Sequence, residues 1–431
     1  MQKIEFPKGF WWGSATSSHQ IEGNNYNDWS EWEKSKKRAG ELKAQGLSSA
    51  DFVSGLACDS LNRYQEDFDI AKQLNQNIHR LSIEWSRIEP EEGKFDQKAM
   101  QHYIEVVRAL KERGIEPMIT LWHFTNPVWF ANDGGFLNKK SPERFVRFVR
   151  FVVEGLRDDA SLWITFNEGT TIYSGMAYFR GIWPPQFRSF LKMLRVDKNI
   201  IRSHILAYKT IKEIYSQSPT APSSKEYVPP TEPEVPHASH NIKEPQIGVT
   251  ENNAWIVAPW YLKILGLGKL VEYYRNFFLL SRAYPYYDFI GLNYYNIARL
   301  PGSYSVLPKL DYVEDMGWEI YPEGICKVLA GLKTKYNKPV YVTENGIADA
   351  ADSRREKFIK DHLYWIWRAM QDGVDVRGYM YWSLLDNFEW HHGYGPRFGL
   401  VEIDYAHNQS RKIRSSALEY AKICRDNNFE Y

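Results

Sequence analysis

Eight strand-like runs, separated by stretches long enough for helices, constrain the fold of this chain more than any other feature. Apolar and β-branched residues dominate most of these runs, as is typical of parallel strands that are buried on both faces. The runs cover residues 10–18, 78–85, 116–122, 162–168, 246–253, 287–295, 339–344 and 376–384. Eight such strands alternating with helices predict an α/β fold of the (β/α)8 TIM-barrel type.

Several intervening segments carry helical signals. The predicted helices span residues 96–113, 143–156 and 361–371. Gly114 and Gly373 follow the first and third of these, and Ser141 and Pro142 have N-cap and first-turn chemistry ahead of the second. A doubly wound open sheet is the competing architecture. It is disfavoured because no glycine-rich phosphate loop follows the first strand.

The chain is longer than a minimal barrel. A (β/α)8 barrel needs about 250 residues, whereas this chain has 431. We therefore expect a single domain over residues 1–431, with long strand-to-helix loops such as 23–58 and 385–404. A Pro-, Ser- and Glu-rich insertion at 216–245 falls between a helix and the next strand. Connections of that kind lie on the face opposite the active site, so we expect the insertion to be peripheral.

Composition argues against several classes of partner. The formal net charge is +1 without a basic tract, so neither nucleic acid nor an anionic membrane is indicated. No stretch has the length of a membrane span, and the N-terminus lacks the apolar core of a secretion signal. Cys58, Cys326 and Cys424 are too widely spaced for a disulfide framework or a metal motif. We expect a cytoplasmic location, and the sequence leaves the oligomeric state open.

Two glutamates end two of the predicted strands. Glu168 closes the run Leu162-Trp-Ile-Thr-Phe-Asn-Glu168, and Glu344 closes Val340-Tyr-Val-Thr-Glu344. A barrel brings the carboxyl ends of its strands to one rim. One such carboxylate can be a structural ion pair, but two on separate strands fit the acid/base and nucleophile of glycoside hydrolysis. The sequence itself neither assigns the two roles nor separates the retaining spacing, roughly 5 Å, from the wider inverting one.

Polar and aromatic side chains end most of the remaining predicted strands. They include Gln20, His123, Asn293, Tyr295 and Trp382, followed by Glu389 and Trp390 in the loop after the eighth strand, while Arg80 lies inside the second run. Amide and carboxylate groups gathered at one rim suit the binding of sugar hydroxyls. Each residue alone also has a structural explanation. Arg80 fits a counter-ion to a buried carboxylate, His123 a core histidine, and Tyr295 and Trp382 ordinary packing.

These motifs together resemble the family 1 glycoside hydrolases, the β-glucosidase and β-glycosidase group, from Phe10 to about Tyr405. The matching stretches are 10–23, 79–88, 165–168, 288–295, 342–346 and 381–390, including Thr165-Phe-Asn-Glu168 and Val342-Thr-Glu-Asn-Gly346. The resemblance implies a retaining, exo-acting (β/α)8 β-glycosidase that needs no metal or cofactor. Its expected substrates are small β-glucosides or oligosaccharides, with β-galactosides and β-fucosides as further candidates.

The resemblance also implies a role for each site residue. By this comparison, Glu168 is the acid/base and Glu344 the nucleophile. It implies that Arg80 and Tyr295 orient the nucleophile and that Asn293 supports the acid/base. Asn167 would bind the sugar 2-hydroxyl, and the remaining hydroxyls would be bound by Gln20, His123, Glu389 and Trp390. Trp382 would form the floor on which the sugar stacks, and Trp318 a platform for the leaving group.

Two departures from the family pattern affect the expectations. Gly169 follows Glu168 where members usually have proline, so we expect a looser loop with catalysis retained. The segment 393–398 lacks the Ser and Lys-Tyr elements that bind a 6-phosphate, and Glu389 would repel one, which disfavours a 6-phospho-β-glycosidase. The sequence also leaves room for a transglycosidase of the same mechanism and for a catalytically inactive barrel that only binds sugars.

Overall fold

A computed structural model of the chain describes residues 2–217, 244–300 and 313–431. Eight parallel strands close into a barrel in chain order, and the eighth is hydrogen-bonded to the first. The strands are β1 (Trp11–Ala15), β2 (Ile78–Ser82), β3 (Glu116–Thr120), β4 (Leu162–Asn167), β5 (Gln246–Val257), β6 (Phe289–Arg299), β7 (Val340–Asn345) and β8 (Val376–Trp382). The predicted (β/α)8 barrel is confirmed.

A main helix follows each strand and covers the outside of the barrel. These helices are α1 (Ser60–Gln73), α2 (Gln97–Glu112), α3 (Ser141–Leu156), α4 (Phe190–Ser216), α5 (Phe278–Ala283), α6 (Glu323–Tyr336), α7 (Arg355–Gln371) and α8 (Ser415–Asp426). Shorter α-helices lie in the loops at Ser18–Ile21, Asp28–Glu33, Lys36–Ala44, Trp85–Ile88, Val128–Asn132, Trp260–Ile264 and Leu267–Glu272.

Tighter and wider helical turns and two small sheets complete the described structure. Three 3-10 turns span Ser49–Phe52, Gly135–Leu137 and Trp390–His392, and π-helical turns span Gly169–Tyr173, Gly175–Phe179 and Tyr273–Phe277. The strand Lys3–Glu5 pairs with Asn428–Glu430, and Val401–Asp404 pairs with Ser410–Ile413. None of the helices in the described ranges combines the length and apolarity needed to cross a membrane.

The three predicted helices are present with shifted starts. Asp96 is the N-cap of α2, because its carboxylate accepts the amides of Lys98 and Ala99 at 2.8 and 3.1 Å. The prediction that Ser141 caps α3 is wrong, since Ser141 is already helical and the cap position belongs to Lys140. The helix α7 begins at Arg355 rather than at residue 361.

Alternating strand side chains divide the apolar interior into two clusters. The larger one packs the helices on the outside of the barrel. The smaller one consists largely of side chains from the strands, among them Ile78, Met118, Leu162, Ile164, Phe289 and Tyr341. Such packing fills the interior of a barrel. Polar side chains are therefore concentrated at the carboxyl ends of the strands.

The predicted insertion at 216–245 connects the end of α4 at Ser216 with the start of β5 at Gln246. Residues 218–243 lie outside the described residues. Its peripheral placement, and the single-domain organisation of residues 1–431, therefore stay predictions.

Candidate active site

A cavity of about 460 Å³ lies at the carboxyl ends of the barrel strands. Its walls contain most of the residues that the sequence predicted, namely His123, Asn167, Glu168, Tyr295, Trp318, Glu344, Trp382, Glu389 and Trp390. The remaining predicted residues, Gln20, Arg80 and Asn293, are completely buried and hydrogen-bond to residues of the wall. The fold thus brings the whole predicted set together.

Glu344, near the end of β7, is held by a charged partner and a phenol. The Arg80 guanidinium donates to Oε1 of Glu344, and the Tyr295 hydroxyl donates to Oε2 at 2.6 Å. Burial raises the pKa of Glu344, but the positive charge of Arg80 and the hydrogen bond from Tyr295 oppose that rise. These contacts favour the ionised carboxylate.

Glu168, directly after β4, is held by neutral amides instead. Asn293 and Asn252 each donate to Oε1 of Glu168, at 2.7 and 3.1 Å. Burial, together with the charge of Glu344, raises the pKa of Glu168 to about 8. Glu168 forms no ion pair with any Lys, Arg or His in the described ranges. The environment therefore favours the protonated carboxyl group at neutral pH.

A chain of hydrogen bonds connects the two glutamates. Besides contacting Glu168, Asn293 donates to Oδ1 of Asn167 at 3.1 Å, and Arg80 donates to the same oxygen at 2.6 Å. Arg80 completes the chain through its bond to Glu344. The Asn167 amide nitrogen lies 3.2 Å from Nε2 of His123. Burial and the charge of Arg80 lower the pKa of His123, which leaves a neutral ring on the cavity wall.

The backbone at Glu168 adopts an unusual left-handed conformation, with φ 48° and ψ 36°. Gly169 then starts the π-helical turn Gly169–Tyr173. A proline at 169 would disfavour such a compact backbone at the residue before it. The buried Glu251 carboxylate accepts from Thr170 N at 3.2 Å and from the hydroxyls of Thr170 and Thr171. The loop after Glu168 is therefore anchored through its threonines; whether Gly169 loosens it stays a prediction.

Glu389 introduces a third carboxyl group into the cavity. Gln20 Nε2 lies 3.4 Å from Oε2 of Glu389 and also donates to the carbonyl of Phe388 at 2.9 Å. Burial, with the charges of Glu344 and Glu168, raises the pKa of Glu389 to about 8. At neutral pH this group is mainly protonated, so it can both donate and accept hydrogen bonds with hydroxyl groups.

Aromatic rings form much of the remaining wall. His123 stacks between two tryptophans, with centroid distances of 5.9 Å to Trp382 and 6.0 Å to Trp390. Trp318 meets the edge of Tyr295 at 5.9 Å and also lies against Phe398, 6.4 Å away. Flat apolar rings beside hydrogen-bonding groups suit a ring that carries both C–H faces and hydroxyls.

Three residues near Glu168, namely Asn252, Glu251 and Arg275, were not predicted from the sequence. The two β5 residues lie in Thr250-Glu-Asn-Asn253, a polar strand end of the same kind as those of the predicted site, so a signal existed. Arg275 gave no signal, because it lies in the π-helical turn Tyr273–Phe277 and reaches the cavity only through the tertiary fold.

Comparisons with known proteins agree with the geometry. The family model described as glycosyl hydrolase family 1 matches residues 2–429. The chain is 32% identical over 462 residues to beta-glucosidase A of Thermotoga maritima, with 100% of both chains covered. A beta-glycosidase structure from Pyrococcus horikoshii superposes with a TM-score of 0.84 at 33% identity, covering 100% of this chain and 97% of that one. A beta-glucosidase structure from Thermotoga maritima in complex with glucoimidazole has a TM-score of 0.84 at 30% identity, with 99% and 100% covered.

Proposed function

Because the chain belongs to glycosyl hydrolase family 1, we propose that it is a retaining exo-β-glycosidase that releases terminal non-reducing β-D-glucosyl residues. The family predicted from the sequence is confirmed. The observation that carries the proposed mechanism is the contrast between the two buried carboxyl groups. Glu344 has the cationic partner Arg80, whereas Glu168 has only amide donors and a pKa of about 8. This contrast supports one ionised nucleophile and one protonated acid.

In the first step, a Glu344 carboxylate oxygen attacks the anomeric carbon while Glu168 transfers its proton to the glycosidic oxygen. The bond from the anomeric carbon to that oxygen breaks, and the leaving group departs as an alcohol. A covalent glycosyl ester on Glu344 remains. Tyr295 stays a hydrogen-bond donor throughout, because burial and the neighbouring Glu344 raise its pKa well above the ordinary value.

In the second step, the ionised Glu168 removes a proton from water, and the water oxygen attacks the anomeric carbon. The bond to Glu344 breaks, which returns that carboxylate and leaves the β configuration unchanged after two inversions. The fixed hydrogen-bond chain through Asn293 and Asn167 supports both roles, since it holds the two carboxyl groups relative to each other without a mobile partner.

The polar wall supports recognition of a single terminal sugar. We assign Asn167 to the 2-hydroxyl, and Gln20, His123, Glu389 and Trp390 to the remaining hydroxyls, with Trp382 as the stacking floor. Glucose and galactose differ in the orientation of one hydroxyl, and a carboxyl group that donates and accepts can bind either orientation. We therefore expect β-galactosides and β-fucosides to be turned over as well. A 6-phosphate would bring a negative charge into a cavity that already contains the ionised Glu344 carboxylate, so 6-phosphoglucosides should be poor substrates.

A 2-fluoro β-glucoside with a good leaving group tests the nucleophile. Its first step should be faster than its second, so the glycosyl ester accumulates, and mass spectrometry of peptides should locate it on Glu344. A label on any other residue would refute the assignment. Aryl β-glycosides of glucose, galactose, fucose and 6-phosphoglucose test the sugar preference. Absence of turnover with every one of them would leave the inactive sugar-binding barrel as the better description.

A further inference from the structure

The cavity has a positively charged side. Arg275 and Arg180 line it, and Arg275 donates to Asn252, which in turn donates to Glu168. Within the described ranges, its wall contains no Asp or Glu besides Glu168, Glu344 and Glu389. Neither guanidinium group forms an ion pair with a described residue, although the charges of Glu168 and Glu251 reach Arg275.

Arg275 is half-buried and incompletely paired. Its Nη2 donates to Oδ1 of Asn252 at 2.5 Å, and its buried Nε has no hydrogen-bond partner. It forms no ion pair with the described residues, although most arginines of this chain do. A buried N–H donor without a partner is costly unless an acceptor completes it. An acceptor supplied by a ligand would satisfy this requirement.

Asn252 fixes where that ligand would lie. Its Nδ2 donates to Oε1 of Glu168 at 3.1 Å, while its Oδ1 accepts from Arg275. In the proposed mechanism, Glu168 protonates the oxygen of the leaving group, so the leaving group occupies the Glu168 side of the cavity. Arg180 lines the same cavity and is exposed, and its hydrogen-bonded neighbour is the sulfur of Met176 at 3.5 Å.

We propose that the preferred leaving group carries a carboxylate, which Arg275 and Arg180 bind. The proposal rests on the glycosidase function above and adds the chemical class of the aglycone. The sugar and the aglycone would then meet different charges within one cavity. The sugar lies beside the carboxyl groups of Glu344 and Glu389, while the aglycone lies beside two guanidinium groups. Arginine suits this role because its fork of donors matches a carboxylate.

A matched pair of disaccharides provides the test. Cellobionate and cellobiitol carry the same terminal glucosyl group and release the same C4 hydroxyl of an open-chain polyol, but the first ends in a carboxylate where the second has a hydroxymethyl group. The kcat/KM of the full-length enzyme should be roughly tenfold higher for cellobionate at low salt, as expected for a charge-assisted hydrogen bond. The preference should shrink as ionic strength rises.

Arginine-to-glutamine variants distinguish a loss of carboxylate recognition from a general loss of activity. Arg275→Gln keeps a donor for Asn252 while it removes the charge, and Arg180→Gln removes the second charge. Each should move the cellobionate-to-cellobiitol ratio towards one, whereas Arg188→Gln, on a neighbouring groove outside this cavity, should not.

Equal kcat/KM values for the two disaccharides in the wild type, no hydrolysis of cellobionate, or an unchanged ratio in both Arg275→Gln and Arg180→Gln would overturn the proposal. Turnover of 4-nitrophenyl β-glucoside is the separate check on the glycosidase function. If that substrate is hydrolysed while the ratio stays at one, only the aglycone inference fails.

Discussion

The carboxyl ends of β4 and β7 deliver the same side chain into two different environments. At the β7 end, Glu344 contacts a guanidinium and a phenol. At the β4 end, Glu168 contacts two side-chain amides and itself adopts a left-handed backbone conformation. Both carboxyl groups are buried, and burial raises the pKa of each. The difference lies in the charge of the partners, so the proposed roles of the two glutamates depend on their neighbours rather than on their burial.

The largest expected effect is on kcat, when the glutamate at the end of β7 or at the end of β4 is replaced by alanine. Glu344→Ala should lose roughly 10⁵-fold or more in kcat on every substrate, because no covalent intermediate can form. Glu168→Ala should lose much less on 2,4-dinitrophenyl β-glucoside, whose leaving group departs without a proton. Azide should restore the rate of Glu168→Ala and yield the β-glycosyl azide, identified by NMR. Rescue of Glu344→Ala to the same β anomer would mean that the two roles are exchanged.

The next largest effect is expected when the positive charge of Arg80, the partner of Glu344, is removed. Arg80→Met leaves Glu344 buried without its cationic partner, so kcat should fall roughly 100-fold or more through loss of preorganised electrostatics. Unfolding stability should fall by about 3–5 kcal/mol, measured by urea titration. Arg87→Met is a matched control, because Arg87 pairs with Glu22 at 2.8 Å away from the cavity wall. It should lose stability and keep kcat. Equal losses of kcat in both variants would show a folding effect alone.

The pH dependence of kcat/KM tests the protonation state of Glu168, at the end of β4, without any substitution of its partners. In the proposed mechanism Glu168 carries a proton in the first step, and its pKa of about 8 means that the proton is retained through neutral pH and lost as pH rises through that value. For substrates with poor leaving groups, kcat/KM should therefore fall above about pH 8. Glu389 has a similar pKa, so Glu389→Gln is the necessary control and should keep this alkaline limb. Glu168→Ala should abolish it.

The sequence predicted the barrel, and the side chains that it proposed for the site lie together in the structure, because both predictions depend on local patterns. All eight strands lie where apolar runs occur, and Glu168 and Glu344 follow from strand ends and motifs. Helix α7 shows where local patterns fail. It begins at Arg355 because the Asp349 carboxylate accepts the amides of Arg354 and Arg355 at 2.7 and 3.1 Å. Asp349 lies several residues before the helix, whereas the usual N-cap position is occupied by Arg354, so the sequence around the helix start gave no capping signal.

The partners that distinguish the two glutamates show the same limit. Arg80 and Tyr295 were identified as partners of Glu344 through the family resemblance, and the structure places both at its carboxylate. Asn252 and Glu251 were not identified, although β5 presents them beside Glu168. The polar end of β5 was a signal for them, but their contacts with Glu168 and with the turn after β4 depend on the tertiary fold. Pair-specific tertiary contacts, rather than motifs, therefore limit what the sequence predicts.

The smallest expected effect concerns Glu251, which contacts the loop after Glu168 and whose charge contributes to the raised pKa of Glu168. Its own pKa is raised by burial to about 7, so Glu251 is mostly ionised where Glu168 titrates. Glu251→Gln removes that charge while an amide oxygen can still accept from Thr170. The alkaline limb of kcat/KM should then move to lower pH by a fraction of a unit.

Asp197 offers the matched control for this shift. It is also buried, with a pKa raised to about 7, and Tyr274 lies 2.9 Å from both its Oδ2 and the carbonyl of Thr170. Its charge is not among the main influences on Glu168, so Asp197→Asn should leave the alkaline limb in place. If Glu251→Gln also leaves the limb unmoved, the β4 end owes its high pKa to burial and Glu344 alone. A shift in Glu251→Gln only would mean that a carboxylate on β5 helps keep the proposed acid protonated.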